Sequence, residues 1–144
     1  MINKGMYTSD SAEWGTPQDL FESLNEKYGP FTLDPCSTDY NAKCVEHFTK
    51  VEDGLSREWT GKVFMNPPYG RQIGEWIRKA WNSAALGATV CCLLPARTDT
   101  AWWHDYCSKG EILFIRGRLK FSGYKGNAPF PSVIVVFRPE HKIK

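Results

Sequence analysis

Residues 62–95, KVFMNPPYGRQIGEWIRKAWNSAALGATVCCLLP, decide the fold. Lys62-Val63-Phe64-Met65 reads as a strand that runs into Asn66-Pro67-Pro68-Tyr69-Gly70. Proline has no N–H to give a ladder, so pairing stops there. From Gln72 to Leu86 the spacing of Ile73, Trp76, Ile77, Ala80 and Trp81 predicts a helix with one apolar side. Gly87 closes it. Thr89 to Leu94 (TVCCLL) is a continuous apolar run, as a strand covered on both faces requires, and Pro95 stops it. Strand, helix and strand in this order predict a βαβ unit with parallel pairing.

The same alternation extends both ways. Thr16 as N-cap and Pro17 at the first helical position start a helix that Gly29 ends, with Leu20, Phe21 and Leu24 on one face. Phe31-Thr32-Leu33 predicts a short strand stopping at Asp34-Pro35, and residues 43–48 a second one. Residues 99–108 predict a short helix, and Glu111–Ile115 and Ser132–Phe137 two more strands. The last follows a long non-helical stretch, which admits antiparallel pairing. Trp76, Trp81, Trp102 and Trp103 sit at helical spacing and are expected in the core. Trp14 and Trp59 are open between core and pocket lining. The expected class is α/β: a mainly parallel twisted sheet with helices on both faces.

The chain has 144 residues, 42% hydrophobic and 24% charged, which fits one soluble domain spanning 1–144. No apolar run approaches the ~20 residues of a membrane helix. The first residues lack the apolar stretch of a secretory signal, so a cytoplasmic setting is expected. Five cysteines with no CxxC spacing read as free thiols rather than disulfides or a zinc site. His47, His104 and His141 form no local ligand pair, and no metal is expected. From Lys109 onward eight Lys and Arg face two acidic residues, against ten and fourteen before it. This basic third reads either as a solvated surface or as a seat for a polyanion.

Ligands of open α/β sheets bind beyond the carboxyl ends of the strands. Two of the predicted strands end there in unusual chemistry: Asp34-Pro35-Cys36 and Asn66-Pro67-Pro68-Tyr69. The Asn oxygen and the Pro67 carbonyl can offer two acceptors on a stiff turn, and Tyr69 a flat face for stacking. A planar –NH2 group, with two N–H to give, is the natural guest. Adenine's amine is one such group. Its lone pair is delocalised into the ring, and two acceptors favour a more pyramidal nitrogen whose lone pair points outward. Catalysis would then come from orientation and fixed dipoles rather than from a strong base. The plainer reading of Asn66–Tyr69 is a strand-ending turn.

Asn66-Pro67-Pro68-Tyr69 matches the [DNS]PP[YFW] motif of S-adenosylmethionine-dependent amino-methyltransferases. Around it, Trp14-Gly15-Thr16-Pro17, Leu33-Asp34-Pro35-Cys36, Asn41-Ala42-Lys43, Asp53-Gly54-Leu55, Trp59, Leu94-Pro95-Ala96-Arg97-Thr98-Asp99-Thr100 and Gly117-Arg118-Leu119-Lys120-Phe121 follow in an order that resembles the phage-type DNA N-6-adenine-methyltransferase family. The match covers about residues 14–137. It implies a Rossmann-like class I methyltransferase without a separate target-recognition domain, acting on double-stranded DNA, with protection from restriction as a family role. Asn66 and Pro67 would accept from the target amine, Pro68 stiffen the turn, and Tyr69 stack on an adenine flipped from the duplex. Asp34, Pro35 and Cys36 match the cofactor motif, Thr16 and Pro17 the upstream motif beside it. Asp53 falls where relatives hold the cofactor's adenine, although Asp-Gly is also a common turn pair. Arg97 and Thr98 at the rim, with Arg116, Arg118, Lys120 and Lys125, would meet DNA phosphate. No glycine-rich loop follows Asp34, and Glu46 is a weak candidate for the ribose-binding acid. The same turn would also suit a glutamine carboxamide, as in release-factor methyltransferases, an RNA amine, or a protein that binds without turnover.

Overall fold

The computed structural model describes residues 14–139; His141 and the last basic residues lie outside them. The order of elements is helix α1 (Gln18–Tyr28), β1 (Leu33–Asp34), β2 (Glu46–His47), a 3-10 turn (Gly54–Ser56), β3 (Lys62–Met65), α2 (Ile73–Ala85), β4 (Thr89–Pro95), α3 (Ala101–Asp105), a second 3-10 turn (Cys107–Lys109), β5 (Glu111–Phe114) and β6 (Ser132–Phe137). The six strands form one sheet in the order β2-β1-β3-β4-β6-β5. β1, β2, β3 and β4 run parallel, and β6 lies antiparallel between β4 and β5. The expected α/β architecture is therefore present, including the reversed last strand.

Alternation along the strands explains the two cores. Val63, Met65, Val90, Cys92, Leu94, Val133, Val135 and Phe137 face one side, where Ile73, Trp76, Ile77 and Ala80 of α2 and Trp103 of α3 cover them. Phe64, Cys91, Leu93, Ile134 and Val136 face the other side, against Phe21, Leu24 and Tyr28 of α1. A strand buried on both faces has no polar register, hence the unbroken apolar runs of β4 and β6. Each Val or Leu so buried contributes about 1.5–3 kcal/mol. Trp76 and Trp103 are buried, and Trp81 and Trp102 pack against the same core, as expected. Trp59 is core too: it stacks on Trp76 at 6.1 Å.

Three local expectations need correction. Thr16 does not cap α1. Pro17 is the N-cap, and no side chain caps that helix. The Thr16 hydroxyl is engaged elsewhere, as described below. The first strand is shifted to Leu33–Asp34, with Phe31 in the core and the Thr32 amide bonded to Lys62 O at 2.8 Å. The helix expected over 99–108 is confined to Ala101–Asp105, because Thr100 caps it by accepting from the Trp103 amide. None of the five cysteines, all among the described residues, is in a disulfide.

From β1 the chain moves outward to β2 and then crosses back to β3 on the other flank. The crevice of such a sheet opens where strand order reverses, beyond the carboxyl ends of β1 and β3. Leu33 pairs with Val63, so the segments after Asp34 and Met65 emerge side by side.

Candidate active site

Asn66 is the first residue after β3. Its side-chain nitrogen donates to the Trp14 carbonyl and to Thr16 Oγ1, the latter at 2.9 Å. Its side-chain oxygen is buried and has no hydrogen-bond partner. A buried acceptor without a donor costs about 1–3 kcal/mol, and native proteins keep few of them. The amide is thus held by one end with the other end bare. Below it, the Cys36 thiol donates to the Asn66 backbone carbonyl at 3.4 Å, which ties the ends of β1 and β3 together.

Three residues on, Tyr69 donates its hydroxyl to Leu93 O of β4 at 3.1 Å. Burial pushes that hydroxyl's pKa well above its ordinary value, so Tyr69 is a neutral ring and no base. Phe130 at 5.5 Å and Phe121 at 6.3 Å meet the ring close to edge-on. Both belong to the long connection between β5 and β6. Trp14 joins the group through Phe121, Tyr124 and Phe130, at 5.3, 4.6 and 5.1 Å. Trp14, Phe121, Tyr124 and Phe130 thus form an aromatic cluster that reaches Tyr69, and the Trp14 carbonyl in it is the one that accepts from the Asn66 amide.

Asp34 ends β1 almost fully buried, and the Lys43 amide donates to its carboxylate at 2.9 Å. Burial raises its pKa, and the backbone donors of Lys43 and Cys36 oppose that only in part. The Phe48 amide bonds Asp34 O at 3.0 Å and the Ser37 amide bonds Phe48 O at 3.1 Å, so the glycine-free 35–47 loop is folded back on the strand end. Asp53 is exposed, in the left-handed region with φ 59°. Gly54 beside it must be glycine: a Cβ there would stand 2.0 Å from Pro35 O. That contact brings the Asp53 turn against Asp34-Pro35, and Trp59 Nε1 holds it by donating to Gly54 O at 2.9 Å.

A family model described as DNA N-6-adenine-methyltransferase (Dam) matches residues 5–142. The chain belongs to this family. A DNA N-6-adenine-methyltransferase of Escherichia phage T1 is 32% identical over 122 residues, 81% of this chain and 50% of that protein. One of Haemophilus phage HP1 is 28% identical across 97% of this chain and 86% of its own length. A putative methyltransferase, YfdM, of Escherichia coli K12 is 36% identical over 64 residues, 40% of this chain and 70% of that protein. The chain thus spans about half the length of the T1 relative and most of the HP1 one.

Membership of this methyltransferase family implies S-adenosylmethionine as methyl donor. The residues present fit such a group. At the strand reversal stand Asp34, the Pro35–Gly54 contact and an exposed Asp53 in a strained backbone region, and the acceptor without a donor follows the neighbouring strand β3. Glu46, on edge strand β2, is exposed. Among the described residues no group of three His, Cys, Asp or Glu is arranged to hold a metal. No described helix is long and apolar enough to cross a membrane.

Arg97 and Thr98 are exposed just beyond β4. Arg116, Arg118, Lys120 and Lys125 are exposed on the β5–β6 connection, the segment whose Phe121 and Phe130 touch Tyr69. Arg118 also donates to Ala128 O at 3.4 Å, and the Ala128 amide bonds Leu119 O at 2.8 Å, closing that loop on itself. Sequence reasoning missed the aromatic lining by Phe121 and Phe130 and the two acceptors from Trp14 and Thr16. The WGTP and GRLKF segments are visible as motifs, but neither motif states what it touches.

Proposed function

We infer that the chain transfers a methyl group from S-adenosylmethionine to the exocyclic N6 amine of an adenine flipped out of double-stranded DNA. One observation carries this: the buried Asn66 oxygen lacks a donor while its amide nitrogen is tied down. An amine N–H supplies the missing donor, and the Pro67 carbonyl is the second acceptor. Held by both hydrogens, the nitrogen presents its lone pair to the crevice. When bound, S-adenosylmethionine supplies an electrophilic methyl on sulfur. Asp34, Pro35, Cys36 and Asp53 would hold it, with Pro17 bordering. Pro68 fixes the turn, and Tyr69 stacks on the extruded base. As the amine nitrogen gains the methyl, the donor would leave as a neutral thioether and the amine would shed one proton. The neutral Tyr69 hydroxyl does not take it, so it passes to water, and rate comes from orientation and fixed dipoles.

The basic β5–β6 loop beside Tyr69 favours a nucleic acid over the glutamine of a protein. Arg97, Thr98, Arg116, Arg118, Lys120 and Lys125 are proposed to hold phosphate on either side of the flipped base. That loop is proposed to read a short recognition site. The host bacterial cytoplasm is the proposed setting.

The test is incubation of the full chain with labelled S-adenosylmethionine and unmethylated DNA, followed by nucleoside analysis. Label in N6-methyladenine is expected. Label in cytosine, or none above a heat-killed control, refutes the reading.

A further inference from the structure

Thr16 matches a cofactor-side motif in sequence, yet its hydroxyl lies on Asn66. We propose that Thr16 is a positioning residue that locks the catalytic amide, and not a cofactor contact. The proposal rests on Asn66 being the amine acceptor.

An Asn side chain is nearly symmetric in shape, so packing alone cannot choose which end faces the substrate. Charge can. The Trp14 carbonyl only accepts, so the end of the amide facing it must be N–H. Thr16 Oγ1 accepts the second N–H. Both hydrogens of Nδ2 are then used. Rotating the amide by half a turn would set oxygen against the Trp14 carbonyl and strand two N–H groups. The oxygen is left as the end without a partner as a consequence.

Thr16 is itself fixed. It is buried, and its carbonyl accepts from Ser122 Oγ at 3.4 Å. The Ser122 amide donates to Gly15 O at 2.9 Å in an antiparallel bridge. A Cβ on Gly15 would stand 3.1 Å from Ser122 Cβ, so glycine permits the approach. Helix α1 follows directly and has no side-chain cap. The hydroxyl that sequence places at that cap is diverted to a residue 50 positions away. Segment 14–16 is a brace between the basic loop and the acceptor.

The lock can be read without turnover. In the cofactor-free full chain, the side-chain amide resonances of Asn66 should show slow solvent exchange. The near-isosteric Thr16→Val should lose that protection, and Thr16→Ser should keep it. In methyl transfer, Thr16→Val should lower kcat by on the order of 10- to 100-fold, the range of small misplacements near reacting atoms. Its KM for DNA and its affinity for S-adenosylmethionine should stay at the wild-type level, and Thr16→Ser should restore kcat. Wild-type protection in Thr16→Val overturns the lock. So does a variant whose loss lies in cofactor affinity with kcat unchanged, or one that only melts earlier. A wild-type chain that methylates no DNA overturns the functional reading instead, whatever the resonances show.

Discussion

Replacing Asn66 by alanine should cut turnover far more than it cuts stability, and the structure supplies both magnitudes. The substitution deletes two hydrogen bonds, to Trp14 O and Thr16 Oγ1. At a net ~0.5–1.5 kcal/mol each, that costs about 1–3 kcal/mol. It also deletes a buried oxygen with no donor. Relief of that group returns about 1–3 kcal/mol. The two effects oppose, so Asn66→Ala should unfold in urea within about 2 kcal/mol of wild type. No such cancellation exists in the transition state. Removing one preorganised interaction there costs roughly 10²- to 10³-fold, or about 2.7–4 kcal/mol. Single-turnover transfer from labelled donor, at saturating DNA, measures the second quantity, and equilibrium urea melts the first. A variant that is strongly destabilised yet keeps its turnover would mean that Asn66 merely caps a turn. Asn66→Asp sharpens the contrast. A carboxylate oxygen against the Trp14 carbonyl repels, so this variant's acid pKa is raised in the fold. Its stability should be highest at acid pH and be lost as pH rises through that value, making it less stable than Asn66→Ala at neutrality.

Other perturbations separate the remaining roles. Tyr69→Ala should lower kcat/KM on duplex DNA by the roughly 1–3 kcal/mol of a base stack. Tyr69→Phe removes only the bond to Leu93 O, and should lower the urea midpoint slightly with turnover intact; equal activity losses in both variants refute stacking. Arg118→Glu with Lys120→Glu should weaken DNA binding and flatten its salt dependence by about 0.9 for each phosphate no longer neutralised. An unchanged slope makes that loop ordinary surface. Asp34 has a raised pKa, so its contribution to stability is present below the unfolded-state value and is lost as pH rises through the folded one. Asp34→Asn keeps an acceptor for the Lys43 amide and titrates nowhere. Its stability relative to wild type should therefore grow with pH across that window, and a pH-independent difference in urea melts refutes the burial argument.

What could be read from sequence, and what could not, follows the range of the interactions. β4 and β6 are legible because burial on both faces writes an unbroken apolar run, a property each residue reports by itself. α2 is legible because Ile73, Trp76, Ile77, Ala80 and Trp81 repeat at the helical period. Asn66–Tyr69 is legible because two prolines leave so few chemical uses for the turn. Thr16 reads as a helix cap because capping is the local use of a threonine before a helix, and its actual partner lies far along the chain, at the end of β3. The contacts of Phe121 and Phe130 with Tyr69 are invisible for a related reason. Both residues sit in an irregular stretch with no period, and only the closure of the β5–β6 loop brings them to Tyr69. Asp34 reads as a cofactor group, and its bond to the Lys43 amide shows that it first organises its own loop. The orphaned oxygen of Asn66 is the extreme case. No single residue writes it, because it exists only after Trp14 and Thr16 have claimed both hydrogens on the other end of the amide. Motifs name the residues of such a site. The missing donor, a property of the folded chain alone, points to the chemistry.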